Sequence, residues 1–229
     1  MTVEVTKPHV VLTDIEGTTT PISFVKETLF PFARGRIADY VRAHRAELSV
    51  AQIVADASGG TGDVAQAIAV LLAWSDADTK IAPLKSLQGL IWEDGYREGL
   101  LKAPVFPDAA AALRAWHSAG IKLAVYSSGS VLAQKRLFTS SDQGNLATLF
   151  NGFFDTAIGA KREAAAYARI ARDLAVAPGD ILFLSDVPEE LDAATSAGVH
   201  TLHLVRPGEG AQATTRHAHV ASFAEIAWA

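Results

Sequence analysis

The sequence predicts an α/β fold, with a doubly wound, mainly parallel sheet and a helical cap inserted after the first strand. Short, continuously apolar runs alternate with amphipathic helical stretches in the second half of the chain, as they do where helices cover both faces of a parallel sheet. A long helix-rich segment separates the first apolar run from the second. An inserted cap accounts for that segment better than an unusually long loop does.

The predicted strands are runs of apolar residues without polar alternation, which is typical of strands buried on both faces. They cover residues 9–13, 122–126, 152–158, 180–184 and 200–205. Helices are predicted at 109–119, 162–175 and 189–197, and glycines near the ends of the first and third favour helix termination there. Alternation of this kind predicts a Rossmann-like sheet with right-handed connections.

The domain division follows from the long insertion. Residues 1–18 and 103–229 are predicted to form the core domain, and residues 19–102 the helical cap domain. Within the cap, residues 64–74 are apolar at helical spacing, and 58–62 (SGGTG) is predicted to be a turn or flexible connector.

Composition excludes several classes of function. The chain has 229 residues and a net charge of −5, which gives no electrostatic reason to expect a nucleic acid or an anionic membrane as partner. It contains no cysteine, so disulfides, thiolate catalysis and cysteine–zinc sites are excluded. No apolar run approaches the roughly 20 residues of a membrane span, and the polar N-terminal residues do not resemble a signal peptide. A cytoplasmic protein is the expectation.

Two carboxylates, Asp14 and Glu16, follow the first predicted strand and precede Gly17. The carboxyl ends of parallel strands are where open α/β sheets bind ligands. A polar loop, in which Asp14 accepts hydrogen bonds from backbone amides and Thr18 acts as a cap, explains this motif equally well when it is considered alone.

Hydroxyls and a lysine follow the next strands. Ser127 and Ser128 lie in the string YSSGS, and such hydroxyls with a following helix N-terminus can hold a phosphate. Lys161 lies between a strand and a helix, where it could place a point charge beside a phosphoryl group. Taken singly, a serine–glycine turn and a solvated lysine are the simpler interpretations.

A further acid, Asp186, directly follows the run 180–184. It could bind a metal ion together with Asp14. Glu189 and Glu190 come next, at a predicted helix start, where acids are common for the simpler reason that they favour the positive end of the helix dipole.

Acid, hydroxyl, lysine and acid, each after a strand, together resemble the haloacid dehalogenase-like phosphatases over nearly the whole chain. Most of that superfamily has a second aspartate where this chain has Glu16. The string 14–25 (DIEGTTTPISFV) resembles the enolase-phosphatase branch, also called acireductone synthase, of methionine salvage. Further strings similar to that branch are 91–96 (IWEDGY), 106–108 (FPD), 126–130 (YSSGS), 134–135 (QK), 159–163 (GAKRE) and 183–186 (FLSD).

The resemblance implies a role for each of these residues. Asp14 would be the nucleophile that forms an aspartyl-phosphate, and Glu16 the general acid and base. Lys161 would offset the negative charge of the phosphoryl group as a catalytic and substrate-binding residue, and Ser127 and Ser128 would bind the phosphoryl oxygens.

The resemblance also implies a cofactor and a substrate. One Mg²⁺ per chain would be held by the side chains of Asp14 and Asp186 and by the backbone carbonyl of Glu16. The substrate would be 2,3-diketo-5-methylthiopentyl 1-phosphate, which is enolised and then dephosphorylated. A monomer with no nucleic-acid or membrane partner is expected.

Three other interpretations stay open at this point. One is a phosphatase of the same fold that acts on another small phosphorylated metabolite, and a second is a regulatory module that binds phosphate or metal without turnover. The third is a zinc hydrolase that uses His200, His203, His217 and His219, although these histidines lack a convincing ligand spacing with an acid.

Overall fold

A computed structural model describes residues 2–229 of the chain. By the contacts between Cα atoms, the chain divides into two compact units. One contains the residues up to Ile22 together with Lys102–Ala229, and the other contains Ser23–Leu101. The domain boundaries expected from sequence, with a cap at 19–102, stay a prediction.

The regular elements alternate in the first unit and are helical in the second. The strands are β1 (Val3–Val5), β2 (Val10–Thr13), β3 (Lys122–Tyr126), β4 (Phe150–Phe154), β5 (Ile181–Ser185), β6 (His200–Leu204), β7 (His219–Val220) and β8 (Ile226–Trp228). The α-helices are α1 (Phe30–Arg34), α2 (Ile37–His44), α3 (Leu48–Ala57), α4 (Val64–Asp76), α5 (Ala82–Arg97), α6 (Pro107–Ser118), α7 (Val131–Thr139), α8 (Ala164–Asp173) and α9 (Pro188–Ser196).

Six strands form one parallel sheet in the order β4-β3-β2-β5-β6-β7, and β1 and β8 form a separate parallel pair. Strand β2 lies inside the large sheet, and its last residue, Thr13, is opposite Val125 of β3 and Leu184 of β5. The carboxyl ends of these three strands therefore meet at one edge. The strand order reverses at β2, which is the position where sheets of this type bind ligands.

The sheet is buried on both faces, which explains why its strands are continuously apolar. Val10 and Leu12 of β2 pack with residues of α8 and α9, among them Tyr167 and Leu191. Val11, which points to the opposite face, is also fully buried. The predicted α/β class with a mainly parallel sheet is confirmed.

The prediction was wrong in detail at two places. The strand expected at 152–158 is β4, Phe150–Phe154, and it ends earlier because the Asp155 carboxylate accepts hydrogen bonds from the backbone of Ala157 and Val131 and so forms a turn. The strands β1, β7 and β8 were not predicted, because two or three residues are too few to show a pattern. The run expected to be the first strand is therefore the second, β2.

The second unit consists of helices α1–α5 after a π-helical segment, Phe24–Leu29, and it has its own apolar cluster. The predicted turn at 58–62 is confirmed, and its glycines Gly59, Gly60 and Gly62 have positive φ. Asp63 then caps α4 by accepting hydrogen bonds from two backbone amides. Among residues 2–229, no helix has both the length and the apolar character needed to cross a membrane.

Candidate active site

Asp14 lies in a tightly fixed loop at the end of β2. Its side chain is buried, and Oδ1 accepts a hydrogen bond from the N–H of Ile15 at 2.7 Å. The backbone amides of Thr18, Thr19 and Thr20 all donate to the Ile15 carbonyl. The chain therefore folds back on itself directly after the carboxylate, which holds Asp14 at the edge of the sheet.

Lys161 contacts two carboxylates and only 10% of its side chain is exposed, so the interpretation of a solvated lysine is wrong. Its Nζ lies 2.7 Å from Asp14 Oδ1 and 2.7 Å from Glu190 Oε2. Burial alone would lower the pKa of Lys161, but the adjacent negative charges of Asp14 and Glu190 raise it above its ordinary value. The side chain is therefore an ammonium ion that shares its charge between the two acids.

Two tyrosines hold the loop that carries this lysine. The Tyr167 hydroxyl, from α8, donates to the carbonyl of Lys161 at 2.7 Å, and the Tyr126 hydroxyl, at the end of β3, donates to the carbonyl of Gly159 at 2.9 Å. Both rings are buried and meet edge to face. The position of the ammonium group is thus set by the packed core beneath it.

Asp186 follows β5, and its carboxylate is only weakly held by other side chains. The Thr18 hydroxyl donates to Asp186 Oδ1 at a long 3.4 Å. Burial, and then the negative charge of Asp14, raise the pKa of Asp186 to about 7. Gly17, with φ +72°, lies so close that a Cβ there would be 2.7 Å from Asp186 Cγ. Only glycine suits this position.

Glu16 and the serine turn lie next to each other. The Ser127 hydroxyl donates to Glu16 Oε2 at 3.4 Å, and burial, followed by the charge of Asp14, raises the pKa of Glu16 above its ordinary value. Ser128 is exposed in the same turn, and Ser130 caps α7 through the amide of Ala133. The Ser127 hydroxyl thus lies beside Glu16, and Ser128 and Ser130 follow it in the turn that precedes α7.

Glu190 was missed by the sequence analysis, which treated it as an ordinary acid in the first turn of a helix. Its side chain is buried, accepts a hydrogen bond from the Ser185 hydroxyl at 3.0 Å and contacts Lys161. Glu189, beside it, is exposed and fits the ordinary interpretation. A signal was available, because Glu190 lies three and four positions before Ala193 and Ala194, which are small residues on the buried face of α9.

Asp14, Glu16, Asp186 and Glu190 together with Lys161 form what we call the Lys161 cluster. It contains four carboxyl groups and a single ammonium group. In the described part of the chain, no three His, Asp or Glu side chains are placed to hold a metal ion by side chains alone. The expected Mg²⁺ set needs only two carboxylates and one carbonyl. These hard oxygen donors, and the surplus of buried negative charge, fit a divalent cation of this kind.

The histidines near the C-terminus have other contacts. His203 is buried in β6, and its Nε2 donates to the carbonyl of Asp186 at 3.0 Å. His217 pairs with Asp192 at 2.9 Å. Within residues 2–229 these histidines form no metal-ligand group, so the geometry gives the zinc-hydrolase interpretation no support.

Comparison with known proteins agrees with this geometry. Residues 8–198 match the family model of the haloacid dehalogenase-like hydrolases. A protein of Granulibacter bethesdensis named enolase-phosphatase E1 is 53% identical over 221 residues, which cover 96% of this chain and 95% of that protein. The enolase-phosphatase E1 of Methylococcus capsulatus is 54% identical over 220 residues, covering 94% of this chain and 96% of that protein.

Solved structures share the fold. The UTR4 protein of Saccharomyces cerevisiae superposes with a TM-score of 0.81 at 36% identity, covering 94% of this chain and 98% of that one. CbbY of Rhodobacter sphaeroides, solved with phosphate, has a TM-score of 0.62 at 20% identity over 95% of this chain and 96% of its own, and it supports the fold alone. By the extent and level of these similarities, the chain belongs to the haloacid dehalogenase-like hydrolases and, within them, to the enolase-phosphatase E1 family.

Proposed function

We propose that the chain converts 2,3-diketo-5-methylthiopentyl 1-phosphate into the acireductone 1,2-dihydroxy-3-keto-5-methylthiopentene and inorganic phosphate, as a step of methionine salvage. The observation that carries the proposal is the position of Asp14, buried at the switch point of the sheet and held by Lys161. The enolase-phosphatase names of relatives about half identical over nearly the whole chain support this choice of reaction.

In the phosphatase step, an oxygen of Asp14 attacks phosphorus, and the bond between phosphorus and the ester oxygen of the substrate breaks. The ester oxygen leaves with the electron pair of that bond and receives a proton from Glu16. The raised pKa of Glu16 favours the protonated carboxyl that this donation needs. Lys161 and the donors of the Ser127–Ser128 turn stabilise the phosphoryl oxygens as charge develops on them.

In the second half of the step, Glu16, now a carboxylate, removes a proton from water. The oxygen of that water attacks phosphorus, the bond from phosphorus to Asp14 breaks, and inorganic phosphate leaves. Both residues are then back in their starting states. The same carboxyl group thus serves as acid and base in turn.

The side chains of Asp14 and Asp186 and the backbone carbonyl of Glu16 are the groups proposed to hold Mg²⁺. When bound, this ion neutralises negative charge on the nucleophile and on the phosphoryl oxygens. The surplus of acids in the Lys161 cluster supports the assignment, since among the described residues Lys161 contacts only Asp14 and Glu190 and leaves Asp186 without a contacting cation.

In the enolase step, a proton leaves a carbon next to a carbonyl group, and the carbonyl oxygen gains one. We propose that Glu16 takes part in this transfer, because its carboxyl group lies among the proposed phosphate-binding groups. Its side chain is one methylene longer than that of the aspartate usual in the superfamily. A cytoplasmic location and a monomeric state remain predictions.

The test of the proposed function is an assay of the purified protein with the diketone phosphate, following the absorbance of the enol and the release of phosphate together. Both signals should appear with Mg²⁺ and disappear with EDTA. Hydrolysis of generic phosphate esters without turnover of the diketone phosphate would point to another small phosphorylated substrate. A reaction insensitive to EDTA would contradict the proposed mechanism.

The role of Glu16 has its own test. Glu16→Gln should lower both enol formation and phosphate release, because the amide can neither donate nor remove the proton. Glu189→Gln, which changes an exposed acid near the site, is the matched control and should leave both rates intact. If both steps of Glu16→Gln proceed at rates close to wild type, Glu16 is not the acid or base.

A further inference from the structure

Arg206 is a buried cation that takes no part in the reaction proposed above. It lies two residues beyond the end of β6, and only 6% of its surface is exposed. Its Nε donates to the carbonyl of Thr18 at 2.7 Å. A buried guanidinium group whose hydrogen bond reaches a main-chain carbonyl of the Asp14 loop is a costly feature, and this cost suggests a specific role.

Asp108, at the start of α6, fixes the orientation of that guanidinium group. Its two oxygens accept from Nη1 and Nη2 of Arg206 at 3.1 and 3.0 Å. Oδ2 also accepts from the Ser222 hydroxyl and from the amide of Phe223, both at 2.8 Å. Asp108 thus holds the planar guanidinium group through Nη1 and Nη2, and this orientation directs Nε to the carbonyl of Thr18.

Two aromatic rings complete the surroundings. The guanidinium carbon lies 4.1 Å from the centre of the Phe106 ring and 5.3 Å from that of Phe223, which are distances typical of cation–π contacts. We call Arg206, Asp108, Phe106, Ser222 and Phe223 the Arg206 clamp. A lysine could not reproduce it, because an ammonium group lacks the planar fork that engages a carboxylate and a carbonyl together.

Thr18, which the Arg206 clamp holds, also contacts residues of the candidate active site. Thr18 is fully buried, its amide donates to the carbonyl of Ile15, and its hydroxyl donates to Asp186 Oδ1. The carbonyl that Arg206 binds therefore belongs to the same residue that orients Asp186. A shift of Thr18 would move the turn that carries Glu16 and Gly17, and would move the hydroxyl away from Asp186.

We propose that Arg206, held by Asp108, is a positioning residue: it fixes Thr18 and thereby the relative placement of the Asp14–Thr20 loop and Asp186 during phosphoryl transfer. The inference depends on the proposed function for its effect on activity, but its structural part does not. Misplacing reacting groups by about an ångström costs up to about 100-fold in rate, so loss of the Nε contact should act on kcat.

The experiment compares Arg206→Lys with Ser222→Ala. The first removes the bond to Thr18 and keeps the charge, whereas the second weakens the same clamp at Asp108 and leaves the bond to Thr18 in place. Each variant is measured for melting temperature, for kcat and KM of phosphate release from the diketone phosphate, and for amide hydrogen exchange in a peptide that covers residues 14–20.

Arg206→Lys is expected to lower kcat by about 10- to 100-fold, with KM changed by less than about threefold, and to speed exchange in residues 14–20. Ser222→Ala should lower the melting temperature while kcat and the exchange of that peptide stay at wild-type values. If Arg206→Lys does not fold, Phe106→Leu, which removes the ring beneath the guanidinium group, should show the same changes at smaller size.

Equal loss of kcat in Ser222→Ala and Arg206→Lys at equal loss of stability would overturn the inference, since the clamp would then act only through global stability. Unchanged exchange in residues 14–20 of Arg206→Lys would overturn it as well. A wild-type protein that releases no phosphate from the diketone phosphate contradicts the proposed function instead, and the exchange measurement would still decide whether Arg206 fixes the loop.

Discussion

The first unit contains two charged regions, the Arg206 clamp and the Lys161 cluster, which differ in how far their charges are compensated. In the Arg206 clamp, one cation meets one carboxylate, and the oxygens of Asp108 receive four hydrogen bonds. In the Lys161 cluster, the one ammonium group contacts two of the four carboxyl groups, and the Thr18 hydroxyl lies at a long 3.4 Å from Asp186. The clamp is balanced, whereas the cluster carries surplus negative charge.

The pKa values of the acids shift in opposite directions in the two regions. Although burial opposes it, the hydrogen bonds from Arg206 and Ser222 lower the pKa of Asp108 below its ordinary value. Burial and the neighbouring charge of Asp14 instead raise the pKa of Glu16, Asp186 and Glu190. The Arg206 clamp satisfies its charges within the protein, while the Lys161 cluster keeps acids that the protein alone does not compensate, as is common at sites that receive a ligand.

Removing the nucleophile should give the largest effect. Asp14→Asn is expected to lower kcat for phosphate release by at least about 1,000-fold, because an amide oxygen cannot replace the attacking carboxylate. The unfolding free energy should stay within about 1 kcal/mol of wild type, since the lost pair with Lys161 is offset by weaker repulsion among the remaining acids. Steady-state kinetics and urea unfolding measure the two quantities, with the exposed Asp39→Asn as control. A large loss of stability would mean that the cluster is not electrostatically strained.

Breaking the Arg206 clamp should cost much more unfolding free energy than removing the nucleophile does. Asp108→Asn leaves the guanidinium group of Arg206 buried without its counter-charge and should cost about 3–5 kcal/mol of unfolding free energy. Asp39→Asn, which disrupts the exposed pair with Arg42, should cost at most about 1 kcal/mol. Urea unfolding of the two variants checks this. Equal losses would show that burial does not distinguish the two pairs.

The same pair predicts a pH dependence of smaller size. Because the pKa of Asp108 is lower in the folded protein than its ordinary 3.8, the unfolded chain takes up the proton first as the pH falls. The stabilisation from Asp108 is therefore fully present above its ordinary pKa and is lost as the pH falls through the lower, folded value. The unfolding free energies of wild type and Asp108→Asn should keep their full difference above about pH 5 and converge as the pH falls through about 4 and below. A constant gap between the two proteins would contradict the assignment.

The smallest expected effect concerns the support of Lys161. Tyr167→Phe removes the hydrogen bond to the carbonyl of Lys161 and should cost about 1 kcal/mol of unfolding free energy, with a loss of kcat below about 10-fold. Tyr126→Phe removes an equivalent bond to Gly159, two residues farther from the ammonium group, and should affect kcat less. Parallel measurement of both variants is the check, and a greater loss of kcat in Tyr126→Phe would place the critical support at Gly159.

Much of the core could be predicted because its cause is local. The strand at 122–126 was predicted to the residue, since residues 123–126 are buried and form a continuous apolar run. The strand predicted at 152–158 began too late, since Phe150 and Asn151 belong to it. It also ended too late, because the Asp155 carboxylate accepts hydrogen bonds from the amides of Ala157 and Val131 and forms a turn. The three shortest strands owe their existence to partners elsewhere in the chain.

The site was predicted in part for the same reason. Acids and hydroxyls at the ends of Asp14's strand and its neighbours meet because parallel strands align their carboxyl ends. That the Lys161 side chain lies between two carboxylates was not visible in the sequence. Glu190 looked like any acid at a helix start, and nothing in the sequence singled out Arg206.

The sequence by itself determined the apolar runs that must be buried, the acids that follow them, and, through its motifs, the family. Only the tertiary structure decided which charges are compensated. The contact from Arg206 to Thr18 joins residues 188 positions apart, and the energy of a charge depends on its burial and on the distance to its partners. Neither quantity is a property of local sequence, so the difference between the balanced clamp and the Lys161 cluster exists only in the folded chain.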